Sequence, residues 1–234
     1  IIRTSDPADG DDNIKQLIPY EDLREWLVEA DRLGELRHVE GATWQEEIGM
    51  AAELVSHDDN APAVLFGDVP DSLPGSRVLV NMFGGKRKNM TLGFPTELGK
   101  VALSDAFANV YRGDKNLIAP NEVTDGPVFE NVLMGDDINL EAFPAPHWHE
   151  KDGGRYIGTG CYHVTRVPDT GWVNLGSYRV MIHGKQSVCH NVLPGRHADI
   201  HFKKYRDRGE RMPVAIVVGG DPLTFIMGGC DIPE

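Results

Sequence analysis

His147 and His149 stand two positions apart in Pro146-His147-Trp148-His149, and an extended backbone would turn both rings to one face. Neutral imidazole is a common metal ligand, so the pair could hold a divalent ion; with no third ligand nearby, a pair of partly exposed loop histidines is the alternative. His197 and His201 lie four apart on a predicted helix and share a face, but no Glu follows the first as HExxH requires. A zinc hydrolase using His147, His149 and His197 is therefore the weakest of the readings. Gly158-Thr159-Gly160 and Gly84-Gly85-Lys86 complete neither GxGxxG nor GxxxxGK[ST], and no GxSxG elbow occurs. Cys161, Cys189 and Cys230 are odd in number, widely spaced and without a CxxC pair, which points to free thiols in a reducing cytoplasm.

A richer set lies in Trp172-Val173-Asn174-Leu175-Gly176-Ser177-Tyr178-Arg179, followed by Val192-Leu193-Pro194-Gly195-Arg196-His197. Strand propensity disfavours Asn174, and a buried unpaired Arg179 would be costly. The two are an odd step apart, so a flat strand sends them to opposite faces. A bulge at Gly176 would bring them to one site. With Arg196 and His197 added, the set offers cationic donors, an amide oxygen and an imidazole, which suit a phosphate held through a divalent metal. Ordinary solvated polar residues on a surface strand are the alternative.

The elements that must position these residues follow from periodicity. Leu23, Trp26, Leu27, Ala30 and Leu33 predict a helix that stops at Gly34. Thr43 and Glu46 have capping-box spacing ahead of a second helix with Ile48, Ala51, Ala52 and Val55 on its stripe. Residues 63–66 and 77–82 read as short strands, and Pro95 opens a third helix reaching about Tyr111. Residues 1–19, with Asp9, Asp11 and Asp12, read as a mobile lead-in, and the polar stretch 112–127 as a boundary. Beyond it the pattern turns to β. Residues 156–167, 172–183 and 187–193 are expected as three strands joined by tight turns, a meander or barrel wall. A helix over 196–208 and a strand over 214–218 follow.

The 234 residues carry 23 Lys+Arg against 36 Asp+Glu, a formal net charge of -13. Such acidity excludes a general nucleic-acid binder and disfavours an anionic membrane, and no apolar run reaches the ~20 residues of a bilayer span. No secretory leader pattern is visible at the start.

Asp152-Gly153-Gly154-Arg155-Tyr156-Ile157-Gly158-Thr159, the Pro168-to-Trp172 turn, Asn174 through Arg179, Pro194 through His197 and Val217 through Pro222 together resemble the UbiD family. These are reversible (de)carboxylases of aromatic, heteroaromatic and α,β-unsaturated acids that use prenylated FMN. The Asp22–Leu27 segment, Gly34 through Leu36, Ala63 through Phe66 and Pro127 through Val132 agree, so the resemblance runs from about residue 20 onward. It implies an α+β fold, with an amino-terminal mixed α/β domain over 20–120 and a flavin-reductase-like split β-barrel over 121–234, incomplete in this chain. It implies that Asn174 and His197 bind a divalent metal, manganese in the first place, that bridges to the flavin phosphate, with potassium as a further ion. Ser177, Tyr178 and Arg179 would line the cofactor, as would Asn191, Val192 and Leu193, with Arg196 and His197 as a third contact. Arg179 would be the catalytic arginine, acting through a covalent substrate–flavin adduct with two glutamates. Those glutamates, a third metal-binding glutamate and an oligomerising carboxy-terminal domain lie in the family beyond the point matching Glu234. The chain is therefore expected to be the amino-terminal part of a cytoplasmic homodimeric or larger enzyme whose substrate is a small aromatic acid and whose co-product is CO2. A non-catalytic flavin-binding or assembly subunit, completed by a partner chain, is the alternative.

Overall fold

The computed structural model describes residues 17–112, 119–158 and 160–230. Most of the lead-in, the centre of the 112–127 boundary, Thr159 and the terminal Asp231–Glu234 lie outside the described residues.

The first helix, α1 (Leu23–Arg32), forms where the apolar spacing requires. The Asp22 carboxylate caps it by accepting from the Arg24 and Glu25 amides at 2.8 and 3.1 Å, and Trp26, Leu27 and Ala30 are buried. The chain leaves at Gly34, whose φ of +71° suits glycine. It then enters β1 (Leu36–Glu40), a strand that periodicity did not reveal, since only Leu36 is buried. The second helix, α2 (Glu47–Ser56), starts later than the Thr43–Glu46 box implied. The Thr43 amide instead donates to the Glu47 carboxylate at 2.7 Å, so the carboxylate that caps sits one position further on.

Strands β2 (Ala63–Gly67) and β3 (Val78–Val80) complete a sheet of order β1-β2-β3, parallel between the first pair and antiparallel between the second. As the middle strand, β2 is buried along its whole length. Helix α3 (Gly85–Thr91) was also unforeseen, because the side chains it buries include Arg87, Asn89 and Thr91. Pro95 does not open the next helix. It lies in a turn whose carbonyls, from Pro95, Thr96 and Leu98, accept from the Asn89 amide, and α4 (Lys100–Arg112) begins only afterwards.

Three single 3-10 turns, Pro127–Phe129, Gly135–Asp137 and Leu140–Ala142, precede β4 (Cys161–Arg166), β5 (Val173–Gly176), β6 (Arg179–Gly184), β7 (Ser187–Asn191), α5 (His197–Asp207), β8 (Val214–Val218) and α6 (Pro222–Met227). The expected long strands over 156–167 and 172–183 are each broken. Strand β4 pairs with β5 and β8 in one antiparallel sheet, whereas β6 pairs with β7 in another. Residues 155–158 run beside β6, with the amides of Ile157 and Ile182 bonded to the carbonyls of Val180 and Arg155, each at 2.9 Å. Both chain segments thus pass from one sheet to the other, the first near Gly158–Gly160 and the second at Ser177–Tyr178. Gly158 permits the first corner, since a Cβ there would lie 2.5 Å from the Tyr178 carbonyl oxygen.

Candidate functional site

The second corner carries the residues singled out in the sequence. Gly176 is not a bulge that joins Asn174 to Arg179. The strand ends there, and a Cβ at Gly176 would lie 2.6 Å from carbons of the Tyr178 ring, which folds back over it. The Ser177 amide donates to the Gly228 carbonyl at 3.1 Å, tying the corner to the end of α6. Its hydroxyl is buried and meets no hydrogen-bond partner in the protein. Arg179 opens β6 directly opposite Asn191 at the end of β7, and both are exposed. Arg179 also lines a cleft of about 1200 Å3 bounded by β3 and Asn81 on one side and by Tyr156, Ile157 and residues 217–221 on the other.

Asn174 is buried, with its amide nitrogen 3.4 Å from Thr165 Oγ1 and 3.5 Å from the Tyr178 hydroxyl. Thr165 Oγ1 is in turn 3.0 Å from His201 Nδ1. The buried polar network therefore links Asn174 to α5 through His201, a residue that the sequence reading had placed on a helix face but not in the site. His197 lies half-buried on the same helix; its ring and that of His201 meet Trp172 edge-on at 5.0 and 5.7 Å. The two histidines share a face, as their spacing predicted. Leu193 and Arg196 are both exposed across a tight turn in which the Arg196 amide donates to the Leu193 carbonyl at 3.3 Å, and Val192 is half-buried.

His147 and His149 are not on a strand. His147 Nε2 meets the Asp152 carbonyl at 3.0 Å, and exposed His149 lies 3.4 Å from the Glu53 carboxylate. Among the described residues no group of three or more His, Cys, Asp or Glu side chains comes together to hold a metal, so no step is assigned to one. What the corner does offer is an unsatisfied buried hydroxyl, an exposed guanidinium paired in register with an amide, and a second arginine after a turn.

Beneath the corner the electrostatics are those of a dry interior. Cys161 is buried and its thiol is pushed up to about 11. His163 is fully buried on β4, and desolvation, helped by the neighbouring His190, pulls it from 6.5 down to about 4. His190 is lowered by burial alone. Between pH 6.5 and 4 the unfolded chain holds a proton on residue 163 that the folded chain does not. Stability from this group is complete above 6.5 and lost as pH falls towards 4, on the order of 3 kcal/mol in all. Urea unfolding across that range should show the decline, and His163→Phe should flatten it.

Residues 121–234 match the family model described as the 3-octaprenyl-4-hydroxybenzoate carboxy-lyase Rift-related domain, UbiD. The chain is 33% identical over 196 residues to a pyrrole-2-carboxylic acid decarboxylase of Pseudomonas aeruginosa, covering 80% of this chain and 39% of that protein. Among solved structures it is similar to the vanillic acid decarboxylase of Sedimentibacter hydroxybenzoicus in its closed form, with TM-score 0.81, 26% identity and coverage of 90% of this chain and 45% of the other. It is also similar to HmfF of Pelotomaculum thermopropionicum in complex with FMN, with TM-score 0.71, 26% identity and coverage of 86% and 43%. An evolved dimeric form of that enzyme, 25% identical at the same TM-score and covering 86% and 45%, is in complex with prFMN. The chain spans about two fifths of the length of the proteins it matches.

Proposed function

Because this chain belongs to the UbiD family, whose domain occupies residues 121–234, we propose that it is the flavin-binding part of an enzyme that removes CO2, reversibly, from an aromatic or heteroaromatic carboxylic acid with prenylated FMN as cofactor. The observation that carries this reading is Arg179, which opens β6 opposite Asn191 just after the Ser177 corner and lines a cleft large enough for a cofactor and a planar acid. The names of similar proteins, decarboxylases of pyrrole-2-carboxylic and vanillic acids, support a substrate with an aromatic ring. They also favour catalysis over a purely structural subunit. Two sheets exchanging strands at corners is the construction expected of a split barrel of flavin-reductase type.

Loss of CO2 from an sp2 carbon leaves an electron pair with no resonance outlet, and the prenylated flavin supplies that outlet when bound. The protein's residues do the rest. The Ser177 hydroxyl and the Asn191 amide would hold the cofactor's polar atoms. The guanidinium of Arg179 offers a planar fork that fixes the substrate carboxylate and so orients the bond that breaks. Tyr156 and Ile157 give the cleft an apolar wall that keeps water from the reacting carbon. Asn174 and His197 are the candidates for a divalent ion such as manganese, as ligands from β5 and α5. The complete enzyme is expected to act as a homo-oligomer.

The test is reconstitution of the complete enzyme with prenylated FMN and measurement of CO2 release from pyrrole-2-carboxylate, vanillate and related acids. Flavin absorbance that co-elutes with protein, together with release from at least one acid, is the expected result. A protein that takes up no flavin under these conditions would overturn the assignment.

A further inference from the structure

Three rings from three different segments meet behind the second corner. His163 comes from β4, Tyr178 from the corner itself and His190 from β7. Their centroids lie 5.2 Å apart for His163–Tyr178, 4.4 Å for His163–His190 and 5.4 Å for Tyr178–His190. His163 sits in register opposite Gly176, and His190 opposite the fully buried Val180. The absent side chain of Gly176 makes room for the Tyr178 ring. His163 Nε2 lies 3.5 Å from Cys161 Sγ, whereas His163 Nδ1 and His190 Nε2 are buried without a hydrogen-bond partner. Leucine or phenylalanine would fill the same volume without leaving polar atoms unsatisfied. Two histidines where apolar residues would be more stable call for a role other than stability.

We propose that His163 and His190 are positioning residues, a buried imidazole pair that holds the Tyr178 ring and thereby fixes Ser177 and Arg179 where the chain crosses between sheets. The inference rests on the flavin-dependent reading of that corner. Neither histidine belongs to the cofactor-lining set; they act through Tyr178. The pair performs this role only while uncharged. The groups facing His163 are the Cys161 thiol, the Tyr178 phenol and His190, none of them a carboxylate. His190 also shares a small cavity with Arg206, Glu210 and Arg211. A proton on His163 would therefore be an uncompensated charge between rings, and the corner would open before the rest of the fold.

Hydrogen–deuterium exchange of the peptide containing Ser177, corrected for intrinsic rates, tests this with FMN titration as a parallel arm. In His163→Leu/His190→Leu the Ser177 amide should exchange about tenfold faster, with FMN affinity about tenfold weaker, while the β2 peptide is unchanged. His190→Phe, which keeps a flat ring, should restore protection. In the wild-type chain the corner should lose protection ahead of β2 as pH falls from 6.5 to 4, and His163→Phe should abolish that response. Wild-type protection in the double Leu variant, or an intact acid response in His163→Phe, would overturn the proposal. A wild-type chain that binds no FMN would count against the flavin reading alone, because the exchange arm decides the positioning role by itself.

Discussion

In the complete enzyme, Arg179→Ala should lower kcat/KM by about a thousandfold, equivalent to ~4 kcal/mol of transition-state stabilisation. Arg179 is exposed at the start of β6, lines the cleft, and among the described residues forms no ion pair that would occupy its guanidinium. It is thus available for an external carboxylate. A rigid fork that donates to both carboxylate oxygens loses its geometry as well as its charge when truncated, and Arg179→Lys should recover only part of the rate. Steady-state kinetics with the flavin content of each variant read from its absorbance provide the check. Turnover falling much further than flavin occupancy is the signature of substrate orientation; equal losses would make Arg179 a cofactor anchor only.

The largest effect on stability is expected from Glu35→Ala. Arg87 is completely buried, and its guanidinium donates to the Glu35 carboxylate at 2.8 Å and to the carbonyls of Ala61 and Asn81 at 2.9 and 3.0 Å. Burial lowers the Arg87 pKa, with Glu35 acting in the opposite direction. The same carboxylate accepts from the backbone amides of Lys86 and Arg87 at the start of α3. Removing it leaves a buried cation without its counter-charge, a loss of roughly 3–5 kcal/mol. The urea midpoint should fall accordingly. A Glu35→Ala/Arg87→Met double variant should be more stable than the single one, because the orphaned charge goes with its partner. The pair also bears on function, since Asn81, which receives the guanidinium on its carbonyl, lines the cleft.

Legibility followed physics. Helix α1, the buried β2, the turn after Gly184 and α5 have strong periodicity or tight-turn signals, and all formed where expected. Strand β1 was hidden because Arg37, His38 and Glu40 are exposed on it, and α3 because three of its four buried residues, Arg87, Asn89 and Thr91, are polar. Neither element has an apolar stripe to read. The breaks after Gly158 and Gly176 depend on which sheet each half-strand joins, a tertiary decision that local alternation cannot encode. In the site, Ser177, Arg179 and Asn191 were named from the sequence; Arg179 and Asn191 face each other at one ribbon end, and Ser177 lies in the corner before it. Asn174 was named too, but its side chain meets Thr165 and Tyr178, and through Thr165 the network reaches His201. His163 and His190 were not singled out. A period-two reading of Cys161, His163 and Thr165 would have put the first histidine on the inward face of its strand.

Arg179 and Asn191 are rungs of one ladder, so their separation is dictated by main-chain bonds and not by how either side chain happens to rotate. The far end of that ladder is the Lys185–Gln186 bend, pinned where Leu140 donates to the Lys185 carbonyl and Gln186 to that of Gly135. One residue gained or lost in this remote bend would slide β7 past β6 and invert every side chain on the returning arm. The length of a hairpin loop at the opposite end of the ribbon thus sets the grip on the guest.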